Sequence, residues 1–378
     1  MATSLYVHVP FCTHICYYCD FNKVYLSGQP VDAYIEAVGR ELALRMKDQT
    51  APLRTIYIGG GTPTALSAGQ MQRLLSLIEE HASAFADEME YTVEVNPDEV
   101  DPELLKIMST KGVNRLSIGV QTFEPELLKT IGRTHSPSQV EETIQLARSY
   151  GFDNISIDLM FGLPKQSLAN WQETLKKATE LAVPHISAYS LKVEEKTMFY
   201  NWWRNGRLPL LTQEEEAKMY EVLENETHAN GLNMYEISNF ARPGFESAHN
   251  RTYWLNQEYI GVGAGAHGYL NRERYENTGP VSHYINQAEA GDYPVREHHL
   301  LTEIEQMEEQ MFMGLRMIEG VNKDMFYQTF GQTVDDVFSA AKEELTSQEL
   351  LEETPTHVRL TKKGKLLGNE VFERFLLG

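Results

Sequence analysis

The chain has 378 residues, 42% of them apolar, which is enough to bury the core of one large domain with one or two smaller ones. Its 54 acidic and 33 basic residues give a formal net charge of −21 at pH 7. Because nucleic-acid binding needs a basic surface, this charge disfavours a nucleic-acid partner. No apolar run approaches the ~20 residues that span a bilayer, and no signal-peptide pattern follows Met1. We therefore expect a cytoplasmic protein.

Six short apolar segments alternate with amphipathic helices in the first half of the chain. The predicted strands cover residues 5–9, 55–58, 91–95, 115–120, 154–159 and 185–191. Capping boxes at Ser67 and Ser136 and a proline after Asp101 predict where three of the helices begin. This alternation predicts a parallel sheet with right-handed crossovers, either a partial barrel or an open doubly wound sheet. In both, functional side chains gather where the strands end.

The pattern changes after residue 192. A helix begins after Thr212, and a mixed segment with a glycine-rich run at 261–268 follows it. From about residue 302 the chain is mostly helical, with one short strand at 357–360. We therefore predict three domains: a core over 1–192, an α+β extension over 193–299 and a small C-terminal domain over 300–378.

All three cysteines fall in one eight-residue window, as Cys12, Cys16 and Cys19. Three thiolates on one loop can hold three irons of a 4Fe–4S cubane and leave the fourth iron open for a chelating ligand. A structural zinc site needs four ligands, and His14 could supply the fourth only awkwardly from inside the same loop. A disulfide would leave one thiol over. The spacing therefore favours an iron–sulfur cluster.

The spacing CxxxCxxC with an aromatic at Tyr18 resembles the cluster loop of the radical SAM superfamily, whose open iron binds S-adenosylmethionine (SAM). The preceding residues, Leu5 to Cys12, are similar to those of the oxygen-independent coproporphyrinogen III oxidase family, which includes the HemW-type heme chaperones. The resemblance implies an α/β fold: a partial (β/α)6 radical SAM barrel with an α+β extension. The segment that begins at Leu360 resembles the small winged-helix-like C-terminal domain of this family.

Polar residues at the predicted strand ends are candidates for SAM binding. A glycine-rich turn with Gly60, Gly61 and Thr62 can bring its backbone N–H groups close to a ligand, although such a turn is also common as a tight connection. Polar groups in apolar strands need partners, which are either a buried network or the ribose and adenine of a nucleoside. The family resemblance implies that SAM is bound by the glycine-rich turn and by Tyr6, Tyr18, Glu94, Gln121, Arg133 and Asp158.

A second motif, HNxxYW, runs from His249 to Trp254 and resembles that of the HemW-type chaperones. Heme iron accepts histidine, so the leading candidate for its axial ligand is His249, with Tyr253 and Trp254 as packing surfaces. An aromatic core corner with a hydrogen-bonded histidine is the alternative, and His267 is a second candidate ligand.

Two functional hypotheses follow. The first is a heme chaperone that carries a 4Fe–4S cluster and SAM and passes heme to an acceptor protein, for which a membrane respiratory hemoprotein is a candidate. The second is a radical SAM oxidoreductase that decarboxylates a tetrapyrrole side chain. The oxidases carry a further cysteine where this chain has Phe21, and a longer segment before the first strand. Both differences, with HNxxYW, favour the chaperone, and a radical SAM enzyme with an unrelated substrate stays open.

Overall fold

A nine-stranded sheet forms the centre of the computed structural model, which describes residues 1–82 and 84–377. The strands are β1 (Ser4–Val9), β2 (Phe11–Cys12), β3 (Val24–Tyr25), β4 (Leu53–Gly60), β5 (Phe85–Val95), β6 (Arg115–Gln121), β7 (Asn154–Phe161), β8 (His185–Ser190), β9 (Asn233–Glu236), β10 (Asn239–Ala241), β11 (Ile260–Val262), β12 (His267–Leu270), β13 (Glu273–Asn277), β14 (Val295–Leu300), β15 (Val321–Asn322), β16 (Leu351–Glu353) and β17 (His357–Leu360).

Helices cover the outside of this sheet and build most of the C-terminal part. They are α1 (Val31–Met46), α2 (Ala68–His81), α3 (Pro102–Thr110), α4 (Pro125–Thr130), α5 (Pro137–Ser149), α6 (Leu168–Glu180), α7 (Met198–Arg204), α8 (Gln213–Ala229), α9 (Ala248–Trp254), α10 (Val281–Ala290), α11 (Glu303–Gly314), α12 (Lys323–Phe330), α13 (Val334–Ser347), α14 (Lys362–Leu366) and α15 (Gly368–Glu373), with a 3-10 turn at Pro63–Ala65.

The strand order of the central sheet is β11-β1-β4-β5-β6-β7-β8-β10-β9. The six strands β1 and β4 to β8 are mutually parallel and lie in chain order, with β11 added parallel to β1 and β10 added antiparallel to β8. A doubly wound sheet would reverse its strand order at a switch point, and this one does not. The predicted partial (β/α)6 barrel is therefore confirmed, and its six strands lie where the apolar segments indicated.

Local signals account for where the helices begin. Ser67 and Ser136 form reciprocal capping boxes with Gln70 and Gln139, as the sequence predicted. Asp101 caps α3 through the Leu104 N–H. Each cap satisfies backbone donors that the first turn of a helix leaves without intrahelical partners. These helices then bury their apolar faces against the sheet in one continuous core.

The C-terminal part has a hydrophobic cluster of its own, which includes Met311, Phe326 and Phe338, around the three-stranded sheet β15-β17-β16. By contrast, β9, β10 and β11 follow residue 192 and still belong to the central sheet. The domain limits at 192 and 299 stay a prediction. No helix within residues 1–82 and 84–377 is long and apolar enough to cross a membrane.

Candidate functional site

A cavity of about 730 Å³, a volume that includes its open mouth, lies where the parallel strands end. Every predicted cluster or SAM residue except Tyr6 lines it. These residues are Cys12, Cys16, Tyr18, Cys19, Gly60, Gly61, Thr62, Glu94, Gln121, Arg133 and Asp158.

The three cysteines are free thiols, with Cys12 buried and the other two half-buried. Burial raises the pKa of Cys12 to about 11 and that of Cys19 to about 12, so a bound cation is needed to hold them as thiolates. Within the described residues, no three His, Cys, Asp or Glu side chains converge as ligands of a single metal ion would. Ligands of a cubane do not have to converge, because each binds a different iron.

Two donors already face the sulfurs. The Thr62 hydroxyl lies 3.6 Å from the Sγ of Cys12, and Nη1 of Arg133 lies 3.7 Å from the Sγ of Cys16. A hydroxyl and a guanidinium both stabilise thiolate charge. The donor set therefore fits an anionic iron–sulfur cluster.

The glycine-rich turn differs from the prediction in one respect. The N–H groups of Gly61 and Thr62 donate to the carbonyls of Val9 and Phe11, each at 2.8 Å. The Gly60 N–H donates to the Glu94 carboxylate at 3.0 Å. These donors fix the turn to the start of the cysteine loop and to β5, so the expectation that they would face a ligand is wrong. The family resemblance implies that this turn binds the amino group of SAM, and such a group needs acceptors, which the chain offers as carbonyl and carboxylate oxygens.

Glu94 is the buried carboxylate of this cavity. Its Oε1 accepts from the Tyr57 hydroxyl at 2.8 Å and its Oε2 from Gly60. Burial raises the pKa of Glu94 to about 7, against the lowering effect of the Tyr57 hydrogen bond and with a smaller rise from Asp158. A carboxylate has about four acceptor positions, so two remain for a ligand that stabilises its ionised form.

Three further predicted residues surround the same space. Gln121 ends β6 with a left-handed φ of 65°, which turns the chain at the cavity wall. Arg133 donates to the Gly119 carbonyl and so is fixed beside Cys16. Asp158 accepts from the Ser117 hydroxyl at 3.2 Å, and burial raises its pKa. The arrangement offers acceptors and an amide that suit a nucleoside.

Tyr6 is not among the residues that line the cavity. Its hydroxyl is 2.9 Å from Nδ1 of His8, whose Nε2 is 2.7 Å from the Asn22 carbonyl. A Cβ at Gly60, where φ is 114°, would lie 2.4 Å from the His8 ring, so glycine is required there. His8 and Tyr57 belong to the site and were missed. Polar residues at alternate positions of an apolar strand, such as Tyr6 and His8, were the signal for them.

His249 lies away from the cavity, fully buried at the other end of β4. Its Nδ1 is 2.8 Å from the Thr55 hydroxyl and its Nε2 is 2.9 Å from the Tyr253 hydroxyl. Burial lowers the pKa of His249 to about 3. The predicted role as an accessible heme ligand does not agree with this placement, because both ring nitrogens already have partners. The alternative of a hydrogen-bonded aromatic corner describes it better.

Comparison with known proteins agrees with this geometry. The family model "Radical SAM superfamily" matches residues 6–178, and "HemN C-terminal domain" matches residues 301–367. "Heme chaperone HemW" from Bacillus subtilis is 48% identical over 374 residues, 99% of each chain. The protein of the same name from Lactococcus lactis is 46% identical, over 99% of this chain and 97% of its own.

Among solved structures, the coproporphyrinogen III oxidase HemN from Escherichia coli superposes with a TM-score of 0.86, over 98% of this chain and 89% of its own. At 24% identity this similarity shows a shared fold alone. The family is shown by the full-length relatives instead. This chain is therefore a member of the HemW-type branch of the radical SAM superfamily.

Proposed function

We propose that this protein is a heme chaperone that carries a 4Fe–4S cluster and SAM and transfers heme to an acceptor protein. The observation that carries the proposal is the full-length similarity to proteins named heme chaperone HemW, together with three free cysteines on one cavity. The acceptor and the cytoplasmic location stay predictions.

The residues present fit the two cofactors. Cys12, Cys16 and Cys19 would hold the cluster, whose open iron would bind SAM and supply it with an electron. Arg133 supplies positive charge beside the Cys16 sulfur. Glu94, Gln121 and Asp158 would orient the nucleoside, with Tyr18 and the glycine-rich turn closing the wall.

Heme binding is proposed with a different ligand from the one that the motif favoured. His267, at the start of β12, has an exposed side chain, whereas His249 is fully buried. An iron can reach an exposed imidazole without breaking internal hydrogen bonds. We therefore propose His267 as the first ligand to test, with His249 second.

Phe21 supports the chaperone over the oxidase. Its side chain is 62% exposed and lines the cavity, where the oxidase branch carries a further cysteine. An exposed aromatic ring offers a flat tetrapyrrole an apolar surface but no thiol chemistry.

The test is a heme titration of anaerobically reconstituted protein, followed through the Soret band. Wild type should saturate near one heme per chain, His267→Ala should bind weakly or with a shifted band, and His249→Ala should keep the band. If the Soret band changes only in His249→Ala, the axial ligand is His249 and not His267. Absence of saturable binding by wild type would refute the chaperone, and conversion of coproporphyrinogen would support the oxidase.

A further inference from the structure

Tyr57, in the middle of β4, contacts both Glu94, which lines the cofactor cavity, and His249 of the HNxxYW segment. Its hydroxyl donates to Oε1 of Glu94 at 2.8 Å. Its ring stacks on the His249 ring, with centroids 5.2 Å apart and an interplanar angle of 26°. The Tyr6 ring on the neighbouring strand β1 is also close, with centroids 6.2 Å apart and an interplanar angle of 27°. The Tyr57 ring thus lies beside two other flat rings, while its hydroxyl donates to the cavity carboxylate.

The chain leaves room for the contact between Tyr57 and Glu94. A Cβ at Gly59 would lie 2.8 Å from Cδ of Glu94 and 2.8 Å from Cε1 of Tyr57. Real Cβ atoms essentially never come so close, so any larger residue at 59 would push the two side chains apart. The second Glu94 oxygen is fixed by the Gly60 N–H. The carboxylate is therefore held at both oxygens.

His249 is itself held against Tyr57. The hydroxyls of Thr55 and Tyr253 form hydrogen bonds with its two ring nitrogens. The Glu90 carboxylate accepts from its backbone N–H at 3.0 Å. The same carboxylate accepts from the Ala248 N–H at 2.9 Å, so it fixes the first turn of α9 to the middle of β5. A fully buried ring with these contacts has little freedom to turn.

We propose that Tyr57, held by stacking on His249, is a positioning residue that aims the Glu94 carboxylate at the nucleoside of SAM. This rests on the proposed binding of SAM in the cavity. In this arrangement His249 of HNxxYW does not contact SAM itself. It affects SAM binding through the side chain of Tyr57.

The ionised Glu94 is the form that accepts two ligand hydrogen bonds. Tyr57 and the Gly60 N–H favour that form, while burial and the negative charge of Asp158 oppose it. Among the described residues, the hydroxyls of Tyr6 and Tyr253 are further titratable groups that interact with the Glu94 charge. Removing the Tyr57 hydroxyl should therefore raise the pH at which Glu94 ionises and binds.

The experiment measures SAM affinity by calorimetry between pH 6 and 8.5, on anaerobically reconstituted wild type, Tyr57→Phe and Tyr91→Phe. Tyr91 is the matched control, since its buried hydroxyl has no partner within the described residues and its strand also carries Glu94. Tyr57→Phe should bind SAM about tenfold or more weakly at pH 7, as for loss of a hydrogen bond to a charged group. The midpoint of its pH profile should lie higher than that of wild type, while the control keeps both values.

Each outcome separates the two proposals. If wild type binds SAM and Tyr57→Phe matches it in affinity and midpoint, the positioning role is refuted and the cofactor assignment stands. If wild type shows no saturable binding of SAM, the proposed binding of SAM is refuted, and the positioning role that rests on it is refuted too. His249→Ala provides an independent check: weakened SAM binding with an unchanged Soret band supports the stacking role, and unchanged SAM binding contradicts it.

Discussion

Glu41 on α1 links the barrel wall to the glycine-rich segment through hydrogen bonds. Its side chain is fully buried, and its oxygens accept from the Gly263 N–H at 2.9 Å, the Tyr284 hydroxyl at 2.7 Å and the Asn277 amide at 2.8 Å. Arg45, with 8% of its side chain exposed, completes the set through its Nε at 3.0 Å. We predict that Glu41→Gln destabilises the fold strongly.

The expected loss follows from the charge that the substitution leaves behind. Breaking a buried ion pair by removing one partner costs ~3–5 kcal/mol, because the other charge stays buried without compensation. Arg45 keeps the Asn277 oxygen at 3.2 Å and the face of the Tyr275 ring at 3.7 Å. These contacts place the expected loss near the lower limit, at about 3 kcal/mol.

Urea unfolding of the anaerobically reconstituted protein, followed by tryptophan fluorescence, measures the effect. Glu36→Gln on the same helix is the control, because Glu36 pairs with Arg73 at the surface and both side chains are nearly half exposed. Such a pair is worth less than ~1 kcal/mol. If the two variants lose the same free energy of unfolding within ~0.5 kcal/mol, the argument from buried charge is wrong.

Two more predictions concern acid and the glycine turn. Burial lowers the pKa of His8 and His135 to about 4 and that of His249 to about 3, below the unfolded value of ~6.5, so the unfolded state takes up protons first. Stability should fall as pH drops below 6.5, by ~1.4 kcal/mol per histidine at pH 5.5, and an unfolding temperature that is flat from pH 7 to 5.5 would contradict this. Gly60→Ala should abolish cluster assembly, measured as bound iron, because its Cβ meets the His8 ring. Gly28→Ala, with φ of 79° and no atom within 4 Å, should keep the cluster, and equal iron in both variants would refute the steric argument.

Local sequence signals were sufficient to predict the framework of the fold. Apolar periodicity placed the six barrel strands, and the capping residues placed the helix starts at Ser67 and Ser136, because both signals act over a few neighbouring residues. The three cysteines also line one cavity in the folded protein, because all of them belong to one loop of eight residues. Motif spacing also brought Glu94 and Asp158 to one cavity, since parallel strands end at one edge.

Which groups face a ligand depends instead on contacts between distant segments of the chain. The sequence gives no sign that the N–H groups of the glycine turn have partners. In the fold they donate hydrogen bonds to Val9, Phe11 and Glu94, which belong to other segments of the chain. The sequence suggests that His249 is a heme ligand beside flat rings. In the fold, Thr55 of β4 hydrogen-bonds its ring and Tyr57 of β4 stacks on it. Hydrogen-bond partners and burial depend on contacts across hundreds of residues, and no local pattern encodes them.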